Sequence, residues 1–205
     1  MSTSPPTYER ESSHKSNAIA PKRQRGRERV ARILDAAGAL FLEKGVDGAT
    51  MTEIAARSGT AIGSLYRFFP TKESLSLTLL ERFIHDRLAR LDEICAGARP
   101  GDCDAVTGQL LGAWLDKRDE RDYTTLLLAA RPDAEQSGKA WRDQFLARVV
   151  AVLEKTCPEA QDTAAARGIV LLHVLKLAPQ LVTGEGQGTV EAEIRKLVFS
   201  LVSAA

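Results

Sequence analysis

Apolar side chains recur at helical spacing along nearly all of this 205-residue chain. Val30, Ile33, Leu34, Ala37, Leu40 and Phe41 fall at i, i+3, i+4 intervals and predict a helix that Gly45 ends. In "TMTE", Thr50 can cap the next helix while Glu53 reaches back to it, a capping box. That short helix holds Ile54 and Ala55 and ends near Gly59. A third runs from about Ile62 to Phe68, where Pro70 breaks it. Thr71 caps a longer fourth helix with a stripe of Leu77, Leu80, Ile84, Leu88, Leu91 and Cys95, closed by "GARPGD". Further helices are predicted at about 104–117, 120–130, 133–156, 159–177 and 189–203. No segment sustains a two-residue alternation, so the expected fold class is all-α.

Two late helices have more apolar surface than one packed face requires. "AAARGIVLLHVLKLA" is apolar almost all round, and the last helix presents Val190, Ile194, Leu197, Val198, Leu201 and Val202. One face then packs inward and another meets a second subunit. Leu171, Val174, Ile194, Leu197 and Leu201 are the candidate dimer-interface positions; a monomer core is the other reading. Residues 1–25, rich in Ser, Pro and charge, bury too little apolar surface to offset ordering entropy and read as a disordered basic tail. The remainder divides into a head, 26–75, and a larger domain, 76–205.

Composition adds little except in its distribution. Apolar residues are 44% and charged residues 27%, and the net charge is +1. Up to Leu75, however, 12 Lys/Arg stand against 8 Asp/Glu; beyond it the balance is 16 against 19. A basic N-terminal part suggests a polyanionic partner. Lys22, Arg23, Arg25, Arg27, Arg29 and Arg32 crowd "PKRQRGRERVAR", which reads equally as an arm for DNA or as the solvated start of a helix. No apolar stretch reads as a membrane span, no secretory signal precedes the helices, and a cytoplasmic location is the expectation. Cys95, Cys103 and Cys157 form no paired metal motif and read as small buried groups, with a Cys95/Cys103 redox sensor as the minor alternative.

The third helix carries the chemistry. Stepping 100° per residue puts Leu65 and Phe69 together on an inner side. Gly63, Ser64 and Arg67 fall opposite, with Tyr66 at their flank. Small residues let a backbone approach a major-groove floor, Arg67 can bond guanine, and Tyr66 can donate to phosphate. Thr50 and Lys72 stand at the starts of the flanking helices, where exposed N–H groups favour anions. This is helix-turn-helix geometry.

With "ILDAAGALFLEKG", "TMTEIAARSG" and "GSLYRFFPTKESL" at this spacing, residues 27–87 resemble the N-terminal domain of the tetracycline-repressor (TetR) family. The resemblance implies an all-helical homodimer on double-stranded operator DNA. It also implies a small-molecule effector, hydrophobic or amphipathic, that shifts the fourth helix and releases the operator. Carried over, the DNA contacts are Thr50, Ile62, Gly63, Ser64, Tyr66, Arg67 and Lys72. The chain departs from the family pattern at Ala61 and Ile62, where Ser and Lys are common. Thr60 is the nearest substitute cap and joins the candidate contacts. Ile62 reads either as a thymine-methyl contact or, by its angle, as a core residue.

In the larger domain no motif stands out. Trp114, Tyr123, Trp141, Phe145 and His173 are the candidate pocket residues, each also readable as ordinary core. No His/Asp/Glu set at metal spacing, phosphate-cradling glycine loop or nucleophile–base pair is present, so neither enzyme activity nor a cofactor is expected. An activator, or a regulator answering to a protein, fits the same residues.

Overall fold

The computed structural model describes residues 19–116, 127, 134–182 and 186–204. Eight α-helices dominate these residues: α1 (Ile19–Gly48), α2 (Met51–Arg57), α3 (Ile62–Phe68), α4 (Lys72–Gly97), α5 (Cys103–Leu115), α6 (Ala134–Thr156), α7 (Ala164–Leu181) and α8 (Gln187–Ser203). A 3-10 turn, Pro158–Thr163, separates α6 from α7. No strand occurs among the described residues, and the fold is all-α as the periodicity predicts. The helix expected at 120–130 lies outside the described residues except for Leu127, which is buried.

Several boundaries differ from expectation. Residues 19–25, assigned to the tail, begin α1 instead. Pro21 sits in the first turn, where its missing N–H costs nothing, and Gln24 bonds Glu28 one turn later at 3.0 Å. Gly45 interrupts α1 with φ 75° and ψ 167°, a left-handed φ that glycine adopts without penalty, and the chain then makes one more turn to Gly48. The predicted helix at 159–177 starts later and ends later, because Pro158 opens a 3-10 turn before regular α geometry sets in at Ala164.

Two hydrophobic cores lie along the chain. In the first, Ile33, Ala37 and Phe41 of α1 meet Ile54 of α2, Leu65 of α3 and Leu75, Leu79 and Leu80 of α4, all fully buried. In the second, Leu91 and Ile94 of α4 meet Leu110 and Trp114 of α5, Val149 and Leu153 of α6, Leu171 and Leu175 of α7, and Val198 and Val202 of α8. Complete burial of each such aliphatic side chain contributes about 1.5–3 kcal/mol. α4 therefore belongs to both cores. Its residues from Leu75 to Leu88 belong to the first and Leu91 and Ile94 to the second. The head's packing thus runs past residue 75 along α4. Leu77, placed in the α4 stripe, is exposed, and Leu75, Leu79 and Phe83 are buried instead.

The late helices sort the interface candidates. Leu171 and Ile194 are buried in the second core and are corrected to core residues; Val174 and Leu201 are half-buried against it. Leu197 is 47% exposed. With it, Ile169, Val170, Leu177 and Leu181 of α7 and Val190 and Phe199 of α8 leave apolar groups in solvent. α6 and α7 approach closely at Gly168, where a Cβ would lie 2.8 Å from Val150 Cγ2. Contrary to the sequence expectation, Pro158–Leu181 is long and apolar enough to cross a membrane. It is a 3-10 turn followed by a helix whose Leu171, Leu172, Leu175 and Ala178 fill the second core. Cys95, Cys103 and Cys157 are free thiols; Cys157 is buried, and the other two pack half-buried against the second core.

Candidate nucleic-acid interface

α2 and α3 are short, so tertiary packing and caps rather than length hold them. At the start of α2 the capping box is complete. The Glu53 N–H donates to Thr50 Oγ1 at 3.3 Å, while Thr50 N–H and Oγ1 donate to Glu53 Oε2 at 3.0 and 2.8 Å. Lys44 bonds the other oxygen of the same carboxylate. The Lys44 bond first, then those from Thr50, hold the Glu53 carboxyl down to a pKa of about 2. Thr50 is thus fixed at the surface, its hydroxyl already committed to the cap.

α3 carries one fully buried residue, Leu65, and Phe69 just past its end is also buried. Those two seat the helix. Its other side is open: Gly63 and Arg67 are exposed, Tyr66 is 47% exposed and Ile62 is 41% exposed. Ile62 therefore does not enter the core as its angle suggests. In a seven-residue helix anchored by Leu65, the first turn projects away from the packing. The Arg67 guanidinium lies 5.5 Å from the Phe68 ring centre. Ser64 is half-buried, and Arg29 Nη1 of α1 donates to its Oγ at 3.3 Å. This bond ties the basic start of α1 to the third helix, a pairing that no local sequence pattern announces.

Thr60 is corrected. Its side chain is buried, Oγ1 has no hydrogen-bond partner among the described residues, and α3 starts at Ile62 after Ala61, without a side-chain cap. It faces neither solvent nor the α3 N–H groups, because its backbone N–H bonds the Ala55 carbonyl and turns the chain inward.

Thr71 caps α4, accepting from the Ser74 N–H at 3.1 Å. Lys72 Nζ donates to the carbonyls of Asp47 and Ala49, both at 3.1 Å. It thereby staples the start of α4 to the end of α1 and the loop that follows, and its third N–H is left over for an anion. Glu73, one residue on, has its carboxyl pKa lowered by its own backbone N–H and by the Thr71 hydroxyl. So Ile62, Gly63, Tyr66 and Arg67 form one outward face, with Thr50, Ser64 and Lys72 fixing its flanks and Thr60 behind it.

Of the described pocket candidates, Trp114 and Phe145 are in ring contact. Trp114 is buried in the second core, edge-on to Phe145 at 6.5 Å, with the Arg87 guanidinium 5.4 Å from its ring centre. Trp141 lines an open groove of about 310 Å³ between α4 and α6, with His85, Leu88 and Arg148. His173 is exposed rather than in the core, and its Nδ1 donates to the Ile169 carbonyl at 2.7 Å. The apolar neighbours that suggested burial, Ile169, Val170 and Leu177, are themselves exposed. Tyr123 lies outside the described residues. Thr107, fully buried in α5, has an Oγ1 with no partner among the described residues. Its position beside Val106, at core spacing with Leu110 and Leu111, is the sequence signal of that burial.

Comparison with known proteins agrees with this geometry. Residues 33–79 match the family described as bacterial regulatory proteins, tetR family. An uncharacterized HTH-type transcriptional regulator, YerO of Bacillus subtilis, is 32% identical over 104 residues, 49% of this chain and 35% of that protein. The HTH-type transcriptional repressor KstR of Mycobacterium tuberculosis is 40% identical over 75 residues, 36% of this chain and 34% of that protein. The chain thus spans about a third of the length of the curated relatives it matches. Among solved structures, a tetR-family regulatory protein from Rhodococcus superposes with a TM-score of 0.67 at 18% identity, over 86% of this chain and 98% of that one. FadR of Bacillus subtilis, in complex with stearoyl-CoA, gives 0.65 at 16% identity, over 85% and 98%. Residues 33–79 thus match the tetR-family head in sequence, and the chain shares its fold over most of its length with solved structures described as tetR-family regulators.

Proposed function

We propose that this protein is a cytoplasmic repressor that binds an inverted-repeat operator as a homodimer and releases it when a hydrophobic or amphipathic small molecule enters the larger domain. The observation that carries the DNA-binding half is the outward face of α3. Gly63, Tyr66 and Arg67 stand exposed on a helix seated by Leu65 and Phe69. Arg67 supplies a guanidinium for base edges or phosphate, Tyr66 a phenol for phosphate, and Gly63 an open backbone. The exposed apolar groups of α7 and α8 support a dimer, because so many large side chains in solvent mark an interface. Support for effector release comes from α4, which is shared by both cores, and from a fold neighbour that holds stearoyl-CoA.

The test is an electrophoretic shift with duplex DNA from beside the protein's own gene. Wild type shifts it, and Arg67→Ala weakens binding by about fivefold to a hundredfold, the span of one lost bidentate base contact. Affinity of the wild type falls linearly in log–log with salt. Equal binding by both proteins removes α3 as the reading element.

A further inference from the structure

We infer that Ile62 is a specificity-determining residue, reading the 5-methyl group of a thymine in the major groove. The inference rests on α3 being the reading helix and adds what its first turn reads. Ala61, Ile62 and Gly63 are all exposed, so the helix meets a partner first with an apolar and featureless tip. None of these three has a hydrogen-bonding side chain. The next residue, Ser64, has its hydroxyl engaged by Arg29. The first turn therefore offers one polar group, the O–H of half-buried Ser64, behind an apolar tip.

A lone exposed isoleucine on a protein surface is unremarkable. Here it stands on the same side as Tyr66 and Arg67, the side bare of packing, while Leu65 and Phe69 hold the other. In a major groove, the base edges present donors, acceptors and one apolar group, the thymine methyl. An aliphatic side chain at the tip has no other complementary surface there. Opposite a cytosine edge it would cover an amino donor without bonding it, which disfavours that base. Gly63 contributes by absence: nothing stands within 4 Å of where its Cβ would be, so the backbone next to Ile62 can come close to the base pair.

The probe is a duplex recovered by wild-type protein from a random-sequence DNA pool. Each thymine in it is replaced singly by deoxyuridine, which removes only the methyl. One thymine per half-site is expected to weaken wild type about fourfold when replaced, the worth of one buried methyl-sized group. The same replacement leaves Ile62→Ala unchanged, and 5-methylcytosine at that position binds wild type better than cytosine does. Circular dichroism of Ile62→Ala matches wild type because an exposed side chain is removed. If every deoxyuridine duplex binds wild type as well as its parent, or if Ile62→Ala loses the same factor on replacement, Ile62 does not read a methyl. Recovery of no duplex at all overturns the DNA-binding reading itself, a separate result.

Discussion

The head and the larger domain of this chain are built from the same material, amphipathic helices, yet they expose opposite chemistry. The head buries Leu65 and Phe69 and leaves Gly63, Tyr66 and Arg67 outside. The larger domain buries Leu171 and Val198 and leaves Leu177, Leu181, Leu197 and Phe199 outside. A face of small, cationic and phenolic groups around a single isoleucine suits a charged duplex; a face made of bare aliphatic groups suits another protein surface. In the head the exposed residues are informative because few of them are needed for packing. On α7 and α8 the apolar residues outnumber the positions inside, and the surplus lies in solvent.

The contrast can be broken most sharply within each region by pairing a buried residue with an exposed one. Leu65→Ala should lower stability by about 2–5 kcal/mol in chemical denaturation, with loss of DNA binding, since it empties the only fully buried site of α3. Arg67→Ala should leave the denaturation midpoint in place. Leu171→Ala in the larger domain should cost a similar amount, whereas Leu197→Glu should leave the fold and convert a dimer to monomers in sedimentation. A dimer that survives Leu197→Glu would move the subunit contact away from that part of α8.

A smaller effect concerns the capping box. Thr50→Ala should cost about 1 kcal/mol in thermal or chemical unfolding, the usual worth of such a cap. The smallest effect is a pH dependence. The Glu53 carboxyl falls from 4.5 to about 2 on folding, so its stabilisation is fully present above the higher value and is lost as pH drops through the lower. Glu53→Gln should flatten that acid limb of the stability curve in a denaturation series across this range, and a limb of unchanged slope would show that the box does not hold the proton off.

Much of the head was legible from sequence because its signals are local. The Thr50–Glu53 box, the Thr71 cap and the Gly45 stop are each written within a few residues, and the structure has all three. Ile62 was less so, since a seven-residue helix with one buried residue leaves its angular orientation poorly determined by periodicity. Thr60 stood close enough to cap α3, but the bond from its N–H to the Ala55 carbonyl turns it inward. In the larger domain the signals conflict. α7 is apolar nearly all round, so no periodicity could separate buried Leu171 from exposed Leu177, or show that His173 stands in solvent. Long-range pairings such as Arg29 with Ser64, and Arg82 with Asp35 at 2.7 Å, depend on how helices meet and leave no mark in either local stretch.

The double membership of α4 has a mechanical consequence. Its 26 residues run from Lys72 to Gly97 with no proline and no glycine before the last position, so nothing along it provides a hinge. A straight rod of that length extends about 39 Å. Tilting it by about 5° at one end moves the other by about 3 Å, enough to shift a side chain off a base edge. Swivelling one compartment while the other stays still would require prising Leu88 or Leu91 from its socket, so a stiff spine makes the two halves travel as one.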